Sequence, residues 1–307
     1  MDIVAILAAT MGTAAPLLFA SLGELLSERS GILNLGLEGV MLIGAITGYI
    51  TGMNTGSLWL GVLAALLAGA LVGLVYAFLT VTMQANQTVC GLALVTVGTG
   101  LSGFLGKAVY GHTSEVVFSK IAIPGLSQIP VLGPIFFNQN ALVYVMFILV
   151  PVLTLYIYKF RPGLALRALG ENPAALDAVG FHVYALRYLH VIVGCALVSL
   201  GGAYITLAYT PNWNTGMTAG KGWIAAALVI FSGWRPVNAL LGAILFGGVE
   251  VLGLRLQLLG VNISSFFISM LPYICTVAVL ILSTGSFRKG KSPAPASLGQ
   301  HYDREAR

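Results

Sequence analysis

An all-α, polytopic integral membrane protein is the fold class this sequence predicts, on three observations. Of its 307 residues, 58% are hydrophobic and 8% charged; apolar runs of membrane-crossing length recur along the chain; and 38 glycines are spread through it. Soluble domains carry roughly 25% charged residues. Lipid accepts so apolar a chain provided that every backbone polar group is paired within a helix. Membrane helices also pack through small residues that let backbones approach closely, which accounts for the glycines.

Taken in order, runs long enough for a hydrocarbon core of about 30 Å cover residues 3–22, 57–79, 88–106, 141–158, 188–209 and 266–284. The first follows Met1 and Asp2 with no basic region or small-residue cleavage site, and reads as a retained helix. Residues 35–53 form a further span that carries Glu38. Residues 222–233 and 237–252 are short and divided only by Gly233, Trp234, Arg235 and Pro236, so either can be a half-helix that stops inside protein. The expectation is 8–10 transmembrane helices, some broken or re-entrant.

Nine crossings with the 159–187 loop inside place Arg29, Lys159, Arg161, Arg167, Arg187, Arg235, Arg288, Lys289, Lys291, Arg304 and Arg307 in the cytoplasm. Lys107, Lys120, Lys221 and Arg255 fall outside, an asymmetry that follows the positive-inside rule. The net charge of +5 is thereby explained by topology, and no nucleic-acid partner is implied. The domain division is a membrane domain over 1–287, with an external loop at 107–140 and a cytoplasmic loop at 161–187, then a disordered tail over 288–307. Pro124, Pro130 and Pro134 are expected to break helices in the external loop, which is either a docking surface or a connector. Cys90, Cys195 and Cys275 read as packing residues, and Tyr204, Tyr209, Trp213 and Trp223 as an interfacial aromatic belt.

The cytoplasmic loop predicts a short helix. Asn172 suits the N-cap, Pro173 the first helical position, and Gly180 the left-handed residue that closes it. Leu176, Val179 and Ala175 are expected on one face, and the helix is either a lever seated in another protein or a plain surface helix.

The run LRALGENPAALDAVG at 166–180 resembles the coupling loop of ABC importer permeases of the branched-chain amino acid, ribose and nucleoside superfamily. GELLSERSGILNLGLEGVMLIG at 23–44 is similar to the signature of its nucleoside and simple-sugar branch, and ANQTVCGLAL at 85–94 also fits. The resemblance implies a channel-forming permease subunit in a bacterial cytoplasmic (inner) membrane. Arg167, Gly170, Glu171, Asn172, Pro173, Ala174, Ala175, Leu176, Asp177 and Gly180 would dock on a separate ABC ATP-binding subunit. That subunit would use ATP and Mg, and this chain would bind no cofactor or metal and carry no catalytic residue. A related second permease subunit and an extracytoplasmic solute-binding protein are the other partners implied. The small-molecule solute would be a nucleoside, purine nucleoside-like, with a ribose-like sugar or a branched-chain amino acid as alternatives.

For the translocation path the candidates are Asn34, Glu38, Asn86, Gln87, Thr88 and Glu250. A carboxylate inside the membrane must face protein or water, so Glu38 either lines the path or, with Asn34 and Arg29, fixes a re-entrant turn. Asn86 either contacts solute or caps a helix, and Glu250 is a pore residue or a partner of Arg255. An ion-coupled secondary transporter would need paired intramembrane charges, for which Glu38 and Glu250 are the acids in view.

Two motifs are rejected. GSFRKGKS at 285–292 matches the phosphate-loop pattern, but lacks the preceding strand and following helix that would cradle phosphate. GLSG at 100–103, with His190 as a base, would make an intramembrane serine protease. The expected topology separates Ser102 from His190 across the membrane.

Overall fold

A computed structural model describes residues 3–258, 267, 270–271, 273–275, 277–278, 281 and 294–304. Helix α1 (Ile3–Arg29) is followed by α2 (Leu37–Thr55) and by α3 (Leu58–Ala77), which ends in a π turn, Phe78–Thr82. After α4 (Gln87–Gly106) comes an external segment with strand β1 (Lys120–Ala122), the short helix α5 (Leu132–Phe136) and strand β2 (Asn138–Asn140). Then follow α6 (Ala141–Lys159), α7 (Arg161–Glu171), α8 (Pro173–Ala178), α9 (Val183–Tyr204) with a π turn at Ile205–Tyr209, α10 (Lys221–Phe231) and α11 (Pro236–Leu258). Among the described residues six helices are long and apolar enough to cross a membrane: α1, α3 with its π turn, α4, α6, α9 with its π turn, and α11. The chain is an all-α polytopic membrane protein, as expected. The predicted 266–284 span lies largely outside the described residues.

The helices α1 and α9 form the centre: α9 packs along α1, α2 and α3, and α1 also meets α10 and α11. Glycine makes these approaches possible. A Cβ on Gly23 would stand 2.3 Å from the Gly194 carbonyl oxygen, and one on Gly98 would stand 2.4 Å from Gly39 Cα. Leu63, Leu67 and Leu71, four apart on α3, are at least half exposed and suit a lipid-facing stripe.

One end of the bundle gathers Arg29, the end of α6, α7, α8, Arg187 and the tail. Arg29 donates to Tyr158 Oη at 3.3 Å and to the Trp234 carbonyl at 2.8 Å. The other end holds the external segment, where β1 pairs antiparallel with β2 and the Ser114 N–H donates to the Pro211 carbonyl. Arg29, Arg167 and Arg187 share the first end and Lys120 lies at the other, whereas Lys221, expected outside, is held within the protein by Glu250.

The two short spans differ from each other. Helix α11 has 23 residues and is full length, whereas α10 has 11. At 1.5 Å per residue α10 is about 16 Å long, half of a hydrocarbon core. Its C-terminal turn lies at the cytoplasmic end, where Trp234 Nε1 donates to Glu28 Oε2 at 2.5 Å. The chain at 210–220 therefore descends from the external face to mid-membrane before α10 begins, with Trp213 and Thr218 buried and Asn214, Thr215, Gly216 and Ala219 exposed.

Three expectations are corrected. Trp213 and Tyr204 are 1% exposed and lie in the interior rather than in an aromatic belt, because the descending segment carries Trp213 against Gly106 and because Asn140 binds the Tyr204 hydroxyl at 3.0 Å. The external segment holds a two-stranded ladder and a five-residue helix, with Pro134 in its first turn, where a missing N–H costs nothing. The tail, expected to be disordered, is packed over residues 294–304: Ser297 is buried and its N–H donates to the Gly170 carbonyl at 2.8 Å.

Candidate functional site

Helix α8 stands at the cytoplasmic end. Asn172 has an extended backbone and its Oδ1 accepts the Ala175 N–H at 3.0 Å; Pro173 takes the first helical position; Gly180 has φ +93°. The caps fall where the sequence puts them. The shared face does not: Leu176 is 6% exposed and sits with Ala165, Leu169 and Val183, whereas Val179 is 76% exposed. The helix ends at Ala178, so Val179 follows the turn outward instead of continuing the helical face. What projects is a small apolar tip of Ala174, Ala175, Ala178 and Val179 on a buried Leu176 anchor.

The neighbouring coupling candidates divide. Glu171 is exposed. Gly170 is buried at the junction with α1, where a Cβ would stand 2.4 Å from the Arg29 carbonyl oxygen. The Arg167 guanidinium lies over the Tyr158 ring at 5.5 Å, against α6 rather than on the projecting tip. Asp177 accepts from Tyr302 Oη at 3.0 Å and pairs with Arg304 at 3.0 Å. Helix α7 was not foreseen, although its alternation of Ala165, Leu166 and Leu169 with Arg161, Leu164 and Arg167 carries the helical period.

The path candidates separate as well. Glu38 Oε1 accepts from Thr218 Oγ1 at 2.5 Å and from the Gly220 N–H at 2.9 Å, and Oε2 from the Gly222 N–H at 2.8 Å. A carboxylate thus caps the mid-membrane N-terminus of α10, where unpaired N–H groups and the helix dipole favour negative charge. Asn34 does not join it. Helix α2 begins only at Leu37, so Asn34 precedes the helix: its N–H donates to Glu24 Oε1 at 2.9 Å and its Oδ1 accepts from the Gly36 N–H. Arg29 is bound to Trp234 and Tyr158, not to this turn.

Asn86 is the N-cap of α4, accepting from the Val89 N–H at 3.1 Å; Thr88 beside it is exposed, and Gln87 is buried with Oε1 on the Leu33 N–H. Gln87 Nε2 is buried and has no hydrogen-bond partner among the described residues. Glu250 binds Lys221 Nζ at 2.6 Å and not Arg255, so Lys221 sits within the protein at the head of α10. Glu38 and Glu250 are also not the only acids in play. Because α1 runs on to Arg29, Glu24 and Glu28 are buried inside it. Their signal lay in GELLSER, where the two acids are four apart on one face of a helix.

The protease constellation is not assembled. Ser102 Oγ donates to the Thr99 carbonyl, while His190 Nε2 lies 2.9 Å from Tyr156 Oη and Nδ1 lies 2.7 Å from the Leu186 carbonyl. The phosphate-loop match at 285–292 lies outside the described residues.

The geometry is that of a helical membrane body with a capped cytoplasmic helix and a half-helix that begins at mid-membrane. A profile of the branched-chain amino acid transport system / permease component family matches residues 6–280. The nucleoside ABC transporter permease protein NupC of Lactococcus lactis is 37% identical, covering 94% of this chain and 93% of its own. The guanosine ABC transporter permease protein NupQ of Bacillus subtilis is 36% identical over 98% of both. A Haloferax volcanii protein with the provisional name glucose ABC transporter permease protein TsgC13 is 37% identical over 98% of both. A solved transporter of metal-chelate ABC type, in an inward-facing conformation, is similar in fold, with a TM-score of 0.53 at 16% identity over 92% of this chain and 85% of its own. The chain belongs to the branched-chain amino acid transport system / permease component family, and is the multi-pass permease subunit of an ABC transporter in the cytoplasmic membrane.

Proposed function

We propose that this permease imports nucleosides, purine nucleoside-like in particular, and is driven by a separate ATP-binding subunit seated on α8. The observation that carries the reading is the shape of α8. Its ends are capped, Leu176 fastens it to the body, and Ala174, Ala175, Ala178 and Val179 are left projecting toward the cytoplasm. Small apolar tips of this kind fit a groove on a partner, and a capped helix transmits displacement without fraying. In this scheme ATP and Mg belong to the partner, a second related permease completes the path, and an extracytoplasmic binding protein delivers the solute.

Nucleosides are favoured over sugars because, of the three relatives at 36–37% identity, two are named for nucleoside and guanosine transport and one, provisionally, for glucose, while a second glucose permease is only 25% identical. Of the path candidates, Asn86 and Thr88 are exposed at the cytoplasmic mouth of α4, where they suit an uncharged, hydroxyl-rich solute. Glu38 and Glu250 act on the path indirectly, by holding the half-helix α10 through Gly220, Gly222 and Lys221.

The test is uptake by proteoliposomes that hold this chain with its partner permease, ATP-binding subunit and binding protein. Guanosine should accumulate only with ATP, and glucose should not compete. Val179→Glu should reduce uptake by about tenfold or more, as expected for a charge left unpaired in an interface. Guanosine uptake that survives ATP depletion and follows an ion gradient would exclude the scheme.

A further inference from the structure

Residues 294–304 lie across the cytoplasmic end and bind parts of the chain that are far apart in sequence. The Ser297 N–H donates to the Gly170 carbonyl at 2.8 Å, and its Oγ lies 3.1 Å from the Leu169 carbonyl; both acceptors end α7. The Gly299 N–H donates to the Gly31 carbonyl at 3.1 Å, just beyond α1. From α9, Arg187 Nη1 donates to the Gln300 carbonyl at 3.4 Å and Tyr184 Oη to the Tyr302 carbonyl at 3.2 Å. Tyr302 closes the set. Its ring packs on the cluster that holds Leu176, and its hydroxyl donates to Asp177 Oδ2 at 3.0 Å.

Asp177 is the one charged residue of α8, and its carboxylate is taken up by Tyr302 and Arg304. The Arg304 side chain is 69% exposed, and exposed ion pairs hold little. The hold therefore rests on Tyr302 and on the buried Ser297. Apart from its chain connections, α8 is fastened to the body by Leu176 and by this tail.

We propose that residues 294–304 are a strap that joins α8 to α1 and α9, so that tail and lever present one surface to the ATP-binding subunit and displacement of α8 reaches the central helices through the tail. This rests on α8 being the lever. The strap bridges α8 to Gly31 on the α1 side and to Tyr184 and Arg187 on α9, and α1 and α9 are the helices around which the others pack.

The experiment measures solute taken up per ATP hydrolysed by the complete importer in proteoliposomes. Tyr302→Ala and Asp177→Ala should each lower this ratio about fivefold, the lower range of coupling effects. Together they should do no worse than the stronger single change, because both break one contact; general destabilisation gives additive losses instead. A chain ending at residue 293 should lose at least as much, and the point variants carry the test if that chain does not fold. An unchanged ratio in Tyr302→Ala, or additive losses in the double variant, overturns the strap. Val179→Glu separates the two proposals. If it abolishes uptake while the tail variants behave as the original, the strap is wrong and the lever stands; if it too is without effect, the lever itself is wrong.

Discussion

Removing the Glu38 carboxylate should release the head of α10. In place, it accepts from Thr218 at 2.5 Å and from the N–H groups of Gly220 and Gly222 at 2.9 and 2.8 Å. Hydrogen bonds to a charged acceptor contribute about 1.5–3 kcal/mol each, and Glu38 is half-buried, which points to the lower end of that range. Glu38→Gln keeps one acceptor oxygen but turns an NH₂ group toward a donor, so about 2 kcal/mol should be lost. Glu38→Ala leaves two backbone N–H groups uncapped and should cost about 4 kcal/mol. Hydrogen exchange on the purified protein reads this directly at residues 218–222. About 2 kcal/mol corresponds to roughly thirtyfold less protection. Protection of Gly220 and Gly222 that is unchanged in Glu38→Ala would refute the capping role, and with it the argument that this acid sets where α10 begins.

Three further outcomes are expected. Gly23→Ala would place a methyl 2.3 Å from the Gly194 carbonyl oxygen and must push α1 from α9, costing about 1–3 kcal/mol; Gly100→Ala enters open space on α4 and should gain about 0.5–1 kcal/mol. Melting temperatures in detergent should move in opposite directions. For the Lys221 to Glu250 pair, whose side chains are 13% and 25% exposed, Lys221→Met or Glu250→Gln alone strands a half-buried charge. Each should destabilise by about 2 kcal/mol while the double variant costs less than either, which a thermal double-mutant cycle will measure. Asn172→Ala removes the cap on Ala175 and should cost α8 about 1 kcal/mol and part of the uptake, whereas Asn172→Ser should restore both in the transport assay.

Local signals were legible and distant pairings were not. The caps of α8 could be read from Asn172, Pro173 and Gly180 because each acts on backbone within one or two turns. Membrane residence could be read because hydrophobicity sums along a helix whatever its neighbours, and most spans lie where the apolar runs are. Helical spacing joins Asn34 to Glu38, but the helix starts at Leu37 and leaves Asn34 outside it. Trp213 reads as interfacial from sequence because an aromatic residue near a span end looks the same in a belt as in a core. Its burial depends on the path of the 210–220 segment.

By itself, then, the sequence determined an all-helical membrane body and a short capped helix at 173–178, since these follow from composition and short-range backbone chemistry. Only the tertiary structure decided that Glu38 caps α10 from 184 residues away, that Glu28 holds Trp234 from 206 residues away, and that the polar tail is fastened to α8. Such contacts bring together groups that no periodicity relates. The tail is held largely through backbone carbonyls of Leu169, Gly170 and Gly31, which every residue possesses and which side-chain composition cannot signal.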